Sequence, residues 1–391
     1  MRLLDVSLHT SHGKVRLTGT VERGTGRRDE ITFEFPEHFR PFVHESADPF
    51  AAVMLLPAAH AGEPLEIVPP ISPRLHFNLP RVLDIWRTWH PEIPEIAIES
   101  EAQPVGPAPP TGRAASFFSG GVDSFYTLLK RLRPETALPA PLTHIVFMQG
   151  IENRLEDARE VDRSQRRVEQ IAEAVGVECI SGMSTLRTFS RLQWETYYFG
   201  SGLSSVALSL AGGLDYVCLP SGYSYNHMVP HGSTPLVDEM YSTERLTVVH
   251  DGAEVSRAEK LARAVEWNRD LVLDHLRVCI RNKGGDYNCG RCRKCVRTAI
   301  PLQIVGAWED ARTFPDKSTA HWEEVVAKDH LALTEENLAL AQGRGAPPAL
   351  TAMLARVVRR KRSREALKTL AHNTPLEHVL PLARRVRSRL G

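Results

Sequence analysis

Residues 116–129 read SFFSGGVDSFYTLL: an apolar run, an abrupt serine-glycine-glycine break, an acidic residue, and a second apolar run. AASFF (114–118) has the texture of a buried strand, and FYTLLKRL (125–132) that of a helix. Gly120 and Gly121, set between them, allow backbone angles closed to other residues and let the main chain approach an anion closely. The helix start adds unpaired N–H groups and the positive end of its dipole. Ser119 and Ser124 supply hydroxyls, and Asp123 is placed to hold magnesium or to orient the loop. This is neither a Walker loop, which needs Gly-Lys-Ser/Thr, nor a dinucleotide fingerprint, which needs a third glycine. The opposing reading is a solvent-facing turn that happens to carry these residues.

Downstream, the alternation of strand and helix continues. THIVFM (143–148), VECI (177–180) and DYVCL (215–219) read as strands. Between them come a helix after Ala158, with Val161, Val168, Ile171, Ala172 and Val175 on one face, and a helix near 192–211. Repeated strand-helix units predict an α/β fold, a doubly wound parallel sheet covered on both faces. Upstream, Val15, Leu17, Gly19 and Val21 alternate with polar residues, RGTGR (23–27) supplies a turn, and Ile31, Phe33 and Phe35 alternate again. That hairpin is followed by a helix near 49–56, a strand at PLEIV (64–68), a helix at NLPRVLDIWRTW (78–89) and a strand at EIAIE (95–99). The expected organisation is an α+β module over 1–101, a Pro/Gly linker over 102–113, a core over 114–300 and a helical extension over 301–391.

Composition narrows the function classes. The 391 residues carry 48 Lys and Arg against 47 Asp and Glu, a formal charge of +1, so no global field recruits a polyanion. The longest apolar run, near 50–59, is too short to cross a membrane, and the expected location is the cytoplasm. Six cysteines in that setting are expected to be reduced, so clustered ones are weighed as metal ligands before disulfides.

Four of them cluster: Cys279, Cys289, Cys292 and Cys295 follow C-x9-C-x2-C-x2-C. Zinc–thiolate legs of about 2.3 Å require a tight knot of sulfurs. A regular helix cannot supply one, because residues six apart rise about 9 Å along its axis. The segment is therefore expected to fold as a knuckle with Gly290 providing the turn. Zinc in a structural role, an iron–sulfur cluster and uncommitted thiols are the alternatives. Cys179 and Cys218 fall on expected buried strands and read as core.

The string SFFSGGVDSFYTLL resembles the PP-loop of the N-type ATP pyrophosphatases. The resemblance implies an adenine nucleotide alpha hydrolase-like fold in which Ser119, Gly120, Gly121, Val122, Asp123 and Ser124 bind ATP with Mg2+. It also implies cleavage to AMP and pyrophosphate. Taken with NCGRCRKCVRT (288–298), residues 114–300 look like the 7-cyano-7-deazaguanine synthase (QueC) family. That family adenylates 7-carboxy-7-deazaguanine, lets ammonia displace AMP, and dehydrates the amide to a nitrile in a second ATP-driven step. Arg297, after the last cysteine, matches the family pattern and is expected to be catalytic together with Asp123 and Lys260.

Residues 220–246 follow an expected strand end, where a substrate loop belongs. Ser221, Tyr223, His231, Ser233 and Asp238 are the expected contacts, with Asp238 accepting from a guanine-like amino group. A polar surface loop is the other reading. Arg257 and Lys260 share a helix face and would offer a cation to the α-phosphate, unless that face is merely solvated. His227, His231 and His250 are equivalent as bases from sequence alone. The C-terminal arginines 356, 359, 360, 362, 364, 384, 385, 387 and 389 read as a solvated helix face or as a contact for nucleic acid or acidic protein. The expected partner is a small carboxylated substrate, with a homodimer allowed. Two alternatives stand beside this reading: a nucleobase-to-protein ligase in an antiviral defence system, its protein acceptor docked by the flanking modules, and a tRNA-modifying sulfur transferase.

Overall fold

The computed structural model describes residues 1–103, 109–151, 158–279 and 288–373. Two compact units divide the chain, Met1–Val278 and Cys279–Gly391. In the first, the strands are β1 (Arg2–Ser11), β2 (Lys14–Glu22), β3 (Arg28–Pro36), β4 (Leu65–Ile71), β5 (Ile98–Ala102), β6 (Ala114–Phe117), β7 (Leu142–Gln149), β8 (Glu178–Ser184), β9 (Tyr216–Pro220) and β10 (Thr247–Asp251). Its helices are α1 (Asp48–Ala61), α2 (Pro73–Trp89), α3 (Val122–Arg131), α4 (Ala158–Val175), α5 (Leu186–Phe189), α6 (Phe199–Ser209), α7 (Arg257–Trp267) and α8 (Arg269–His275).

Among the described residues the strands form one ten-stranded sheet, ordered β10-β9-β6-β7-β8-β3-β2-β1-β4-β5. From β10 to β8 every pairing is parallel. The chain lays β7 and β8 on one side of β6 and then β9 and β10 on the other. Strand order therefore reverses between β6 and β9, and in doubly wound sheets the crevice beyond such a reversal is where ligands bind. On one face α3 packs on β6 and β9, with α7 against α3 and α4 on β7 and β8. On the other, α6 lies on β9 and against α1. Helix α1 is buried from Asp48 to Ala59, as expected of a helix that is apolar all round. Asp48 is buried too, and it accepts both the N–H and the Oγ–H of Ser72 (2.7 and 2.6 Å), tying the start of α1 to the start of α2.

The N-terminal strands do not stand apart as the expected 1–101 module. β3 pairs antiparallel with β8, with Phe33 opposite Ser184 and Glu34 opposite Met183. One apolar core runs from Phe33, Phe35 and Phe50 through Val146 and Ile180 to Leu203, Val217 and Val248. Gly182 makes the junction, because a Cβ there would sit 2.5 Å from the Phe35 ring and 2.8 Å from the Glu34 carbonyl oxygen. The expected hairpin β2–β3 forms, with Val15 opposite Phe35, Leu17 opposite Phe33 and Gly19 opposite Ile31, whereas β1 and β10 correspond to no strand expected from the sequence. Instead of one helix over 192–211, a π-helical turn at Trp194–Tyr198 precedes α6. The Trp194 ring lies over Gly202, where a Cβ would approach it to 2.6 Å. Residues 104–108, the centre of the expected linker, lie outside the described residues.

The second unit contains α9 (Arg293–Ile304), α10 (Trp322–Ala327), α11 (Leu331–Gly343) and α12 (Pro348–Asn373). α11 packs on α9 and α12, and α10 on the same two helices. Trp308 is buried against Phe314 and Trp322, ring centroids 5.2 and 5.6 Å away. The unit begins at Cys279 rather than at 301, because the cysteine segment takes its hydrogen-bond partners from residues 313–321.

Replacing Gly182 by Val should lower stability in denaturant melts by about 1–3 kcal/mol, the usual cost of overpacking. Gly222→Ala, where a Cβ meets nothing within 4 Å, should leave the melt unchanged.

Candidate functional site

The glycine loop sits at the carboxyl end of β6, beside the strand-order reversal. Gly120 has φ +77°, in the left-handed region, and Gly121 precedes the first turn of α3 with no side chain capping its amides. The first N–H groups of α3 have no intrahelical partners by geometry. Val122 is buried and anchors the helix start. Ser124 is buried, and its Oγ–H donates to the Gly121 carbonyl at 3.0 Å. Its hydroxyl thus braces the loop from within instead of facing a ligand as expected. The Gly120 carbonyl accepts the N–H of Arg277 at 2.8 Å, which holds the segment after α8 against the loop.

Helix α7 brings the cations. Its start is set by Ser256, whose Oγ accepts the N–H of Glu259 at 3.2 Å. This places Arg257 and Lys260 in the first turn, facing Asp123. Arg257 pairs with Asp123 Oδ2. Lys260 is only 1% exposed, so the solvated-face reading fails for it. Its Nζ donates to the Ser221 carbonyl at 2.6 Å and lies 3.6 Å from Asp123 Oδ1. The left-handed backbone at Gly252 (φ +95°) lets the main chain pass close by, and a Cβ there would sit 3.6 Å from Lys260 Nζ.

Beneath the loop, a charge network ties α3 to β10. Lys130 donates to Asp251 at 3.0 Å and to Glu254 at 2.5 Å, Arg131 pairs with Asp251, and Tyr126 Oη donates to Glu254 at 2.8 Å. Burial works to raise the Glu254 carboxyl, but the bonds from Lys130 and Tyr126 prevail and hold it at about 2.

The expected substrate residues divide. Ser221 Oγ–H donates to the Tyr223 carbonyl at 2.6 Å, and both residues lie just beyond the end of β9. Asp238 is completely buried: Oδ2 takes the Ser233 hydroxyl at 2.6 Å and lies 2.7 Å from His250 Nδ1. It is therefore an internal group and not an acceptor for a substrate amino group. Ser233 is internal for the same reason. The His231 ring lies 5.2 Å from that of Tyr223, its Nδ1 accepts the N–H of Ser233 at 3.3 Å, and burial lowers its pKa, which keeps it a neutral clamp. His250, which sequence does not separate from His227 and His231, is locked onto a buried carboxylate, Asp238.

The second unit holds the cysteines. Cys279, Cys289, Cys292 and Cys295 bring their sulfurs within 4.8 Å of one another. Three of the separations are 3.9, 3.8 and 3.4 Å. A tetrahedron with 2.3 Å legs has edges of about 3.8 Å, so four thiolates at these distances fit a single zinc-like ion. A cluster of several irons would spread them further. Gly290 (φ +70°) makes the knuckle turn, and a Cβ there would meet the Asp316 carbonyl oxygen at 3.0 Å. Asn288 Oδ1 accepts the N–H of Cys279 at 3.1 Å, while its Nδ2 donates to the Thr313 carbonyl at 3.1 Å. Cys292 stands at the position just before α9, and hydrogen bonding from the neighbouring thiols, Cys295 first, holds its own thiol down to about 5. With four protein ligands a bound ion keeps no open position, which makes the site structural.

Arg297 is not left free to meet a phosphate. Its guanidinium forks onto Asp329, with Nε 2.8 Å from Oδ2, and binds α9 to the turn before α11. On α12, Arg356 and Arg360 pair with Glu323, and Arg362 with Glu335. These arginines are answered within the unit, while Arg384, Arg385, Arg387 and Arg389 lie outside the described residues. Burial pushes the Cys179 thiol up to about 12 and also raises Cys218. No helix among the described residues is long and apolar enough to cross a membrane. In comparisons with models of known protein families, with curated proteins and with solved structures, nothing matched the chain.

Elemental analysis of the purified protein should find one zinc per chain. Cys295→Ser should abolish it and lower the melting temperature, and acidification should release the ion as the thiolates protonate. Full zinc content in the serine variant would refute the assignment.

Proposed function

We propose that the loop Ser119–Ser124 cradles the phosphates of ATP and that the protein adenylates a carboxylate, with 7-carboxy-7-deazaguanine as the preferred substrate. The observation that carries this is Lys260, a buried ammonium fixed beside Asp123 where the glycine loop meets the end of β9. Such a cation, held without exchange with water, stabilises charge building on a phosphate during nucleotidyl transfer. The main-chain amides at the start of α3 favour an anion, and Asp123, now paired with Arg257, is the carboxylate that would hold Mg2+, whose charge would offset that of the phosphates. Tyr223, half-buried just beyond the end of β9, would orient the acceptor, and Ser221, buried with its hydroxyl on the Tyr223 carbonyl, holds that turn in shape. An amine then displaces AMP to give an amide or a nitrile, as in 7-cyano-7-deazaguanine synthases. The four-cysteine site contributes shape and takes no part in the chemistry.

The alternative of a sulfur transferase needs a reactive thiol outside the metal site, and the raised pKa values of Cys179 and Cys218 weigh against it. A protein amine as acceptor has one observation in its favour: Tyr225, Met228, Val229 and Leu236 expose apolar surface on the loop after β9.

Incubation with ATP, Mg2+, 7-carboxy-7-deazaguanine and ammonium should release AMP and pyrophosphate. Asp123→Ala and Lys260→Met should each reduce the rate by about 100-fold or more, the scale of losing one preorganised electrostatic group. Release of ADP would overturn the proposal. Mass spectrometry with a lysine peptide in place of ammonium tests the protein-acceptor reading, which a peptide of unchanged mass would remove.

A further inference from the structure

We infer that Arg257 is a nucleotide-binding residue that exchanges partners: it now covers Asp123, and it moves onto a phosphate oxygen of ATP when the nucleotide enters, releasing the carboxylate. This rests on the adenylating function proposed above. The starting point is a conflict over Asp123. Its Oδ2 is taken by the Arg257 guanidinium, yet the proposed chemistry asks the same carboxylate to hold Mg2+. Lys260 Nζ also lies 3.6 Å from Oδ1, so a divalent ion added beside this group would meet two cations at close range. One of them has to give way.

Lys260 cannot. Its side chain is 1% exposed, and its Nζ donates to the Ser221 carbonyl at 2.6 Å. Arg257 differs in both respects. Its side chain is 20% exposed, and it is the first residue of α7, so rotation about its own side-chain bonds carries the guanidinium from one oxyanion to another without disturbing the helix. An ion pair kept for stability alone would also gain little, because the Asp123 side chain is 19% exposed as well.

The destination is close. Asp123 is the second residue of α3, and no side chain caps that helix, so a guanidinium on its carboxylate already stands beside the first-turn amides that would receive a phosphate. Helix polarity gives the exchange its direction. Helix α7 packs against α3, and Arg257 and Lys260 lie in the first turn of α7, at the positive end of its dipole, where an anion is favoured and a cation is not. The several charges of a phosphate chain answer that field better than one carboxylate, and a guanidinium forks onto phosphate oxygens as readily as onto a carboxylate. The present pairing is also incomplete, since Asp123 Oδ1 is buried and has no hydrogen-bond partner among the described residues.

Two measurements on the whole chain test the exchange, both with the ATP analogue whose α–β bridge is a methylene group. In a crystal structure of the wild-type protein with Mg2+ and this analogue, Arg257 should contact a phosphate oxygen and have left Asp123. In calorimetry, Arg257→Gln should bind the analogue about 10- to 100-fold more weakly, the worth of a hydrogen bond to a charged group. The same variant should bind Mn2+ alone, followed by its paramagnetic resonance, more tightly than the wild type does, because its carboxylate is already released. Arg257 still on Asp123 with the analogue bound, an unchanged affinity for the analogue, or a fall in both bindings together would overturn the inference. Should the variant fail to fold, the wild-type complex decides alone. Wild-type protein that neither binds the analogue nor exchanges pyrophosphate into ATP would instead sink the adenylating function itself, before Arg257 is considered.

Discussion

A buried ammonium group has to find oxygen, and Lys260 finds it at the Ser221 carbonyl and Asp123. Three separate stretches of chain are bound together in consequence: the glycine loop after β6, the end of β9 and the first turn of α7. Removing either oxygen partner would leave a charge stranded in a poorly solvated space, a penalty of several kcal/mol. The position of the loop therefore depends on α7, more than a hundred residues away along the chain. The Arg257–Asp123 pair and the network through Lys130, Arg131, Asp251 and Glu254 continue the same scheme down α3.

The sheet explains why that point is useful. Reversal of strand order between β6 and β9 sets their carboxyl ends side by side at the place where doubly wound sheets bind ligands, and there the glycine loop from β6 meets the Ser221 carbonyl that holds Lys260. The opposite half of the sheet does different work. β1 to β5 extend the sheet beyond β8, and α1 fills the space against α6, so the N-terminal residues stiffen the face that carries Asp238 and Ser233. Within the second unit, the cysteine knuckle and the Arg297–Asp329 pair play a comparable bracing part around α9.

Much of the architecture was legible in local pattern. Strands β6, β7 and β9 are apolar runs, and the alternation in β2 and β3 fixes a hairpin by itself. β1 escaped because nearly all of its residues are exposed or half-buried, which blurs the two-residue period, and β10 because TVVHD is short and ends in two polar residues. The apparent independence of the first hundred residues was misleading for a related reason. A proline-rich stretch marks where regular structure stops, but strand pairing between β3 and β8 is a contact across 150 residues that no local pattern encodes.

By itself, the sequence determined the loop, because glycine takes the left-handed angle at 120 without steric cost, and it determined the candidate metal ligands, because closely spaced thiolates have few other uses. Only the tertiary structure decided which polar residues around them are spent on each other. Asp238, a plausible substrate contact on a linear reading, is consumed by Ser233 and His250; Arg297 is consumed by Asp329; Lys260 is drawn inward to the loop. The physical reason is that burial and partner choice are properties of three-dimensional neighbours, and a carboxylate, an imidazole or an ammonium carries no mark in sequence of the group it will meet.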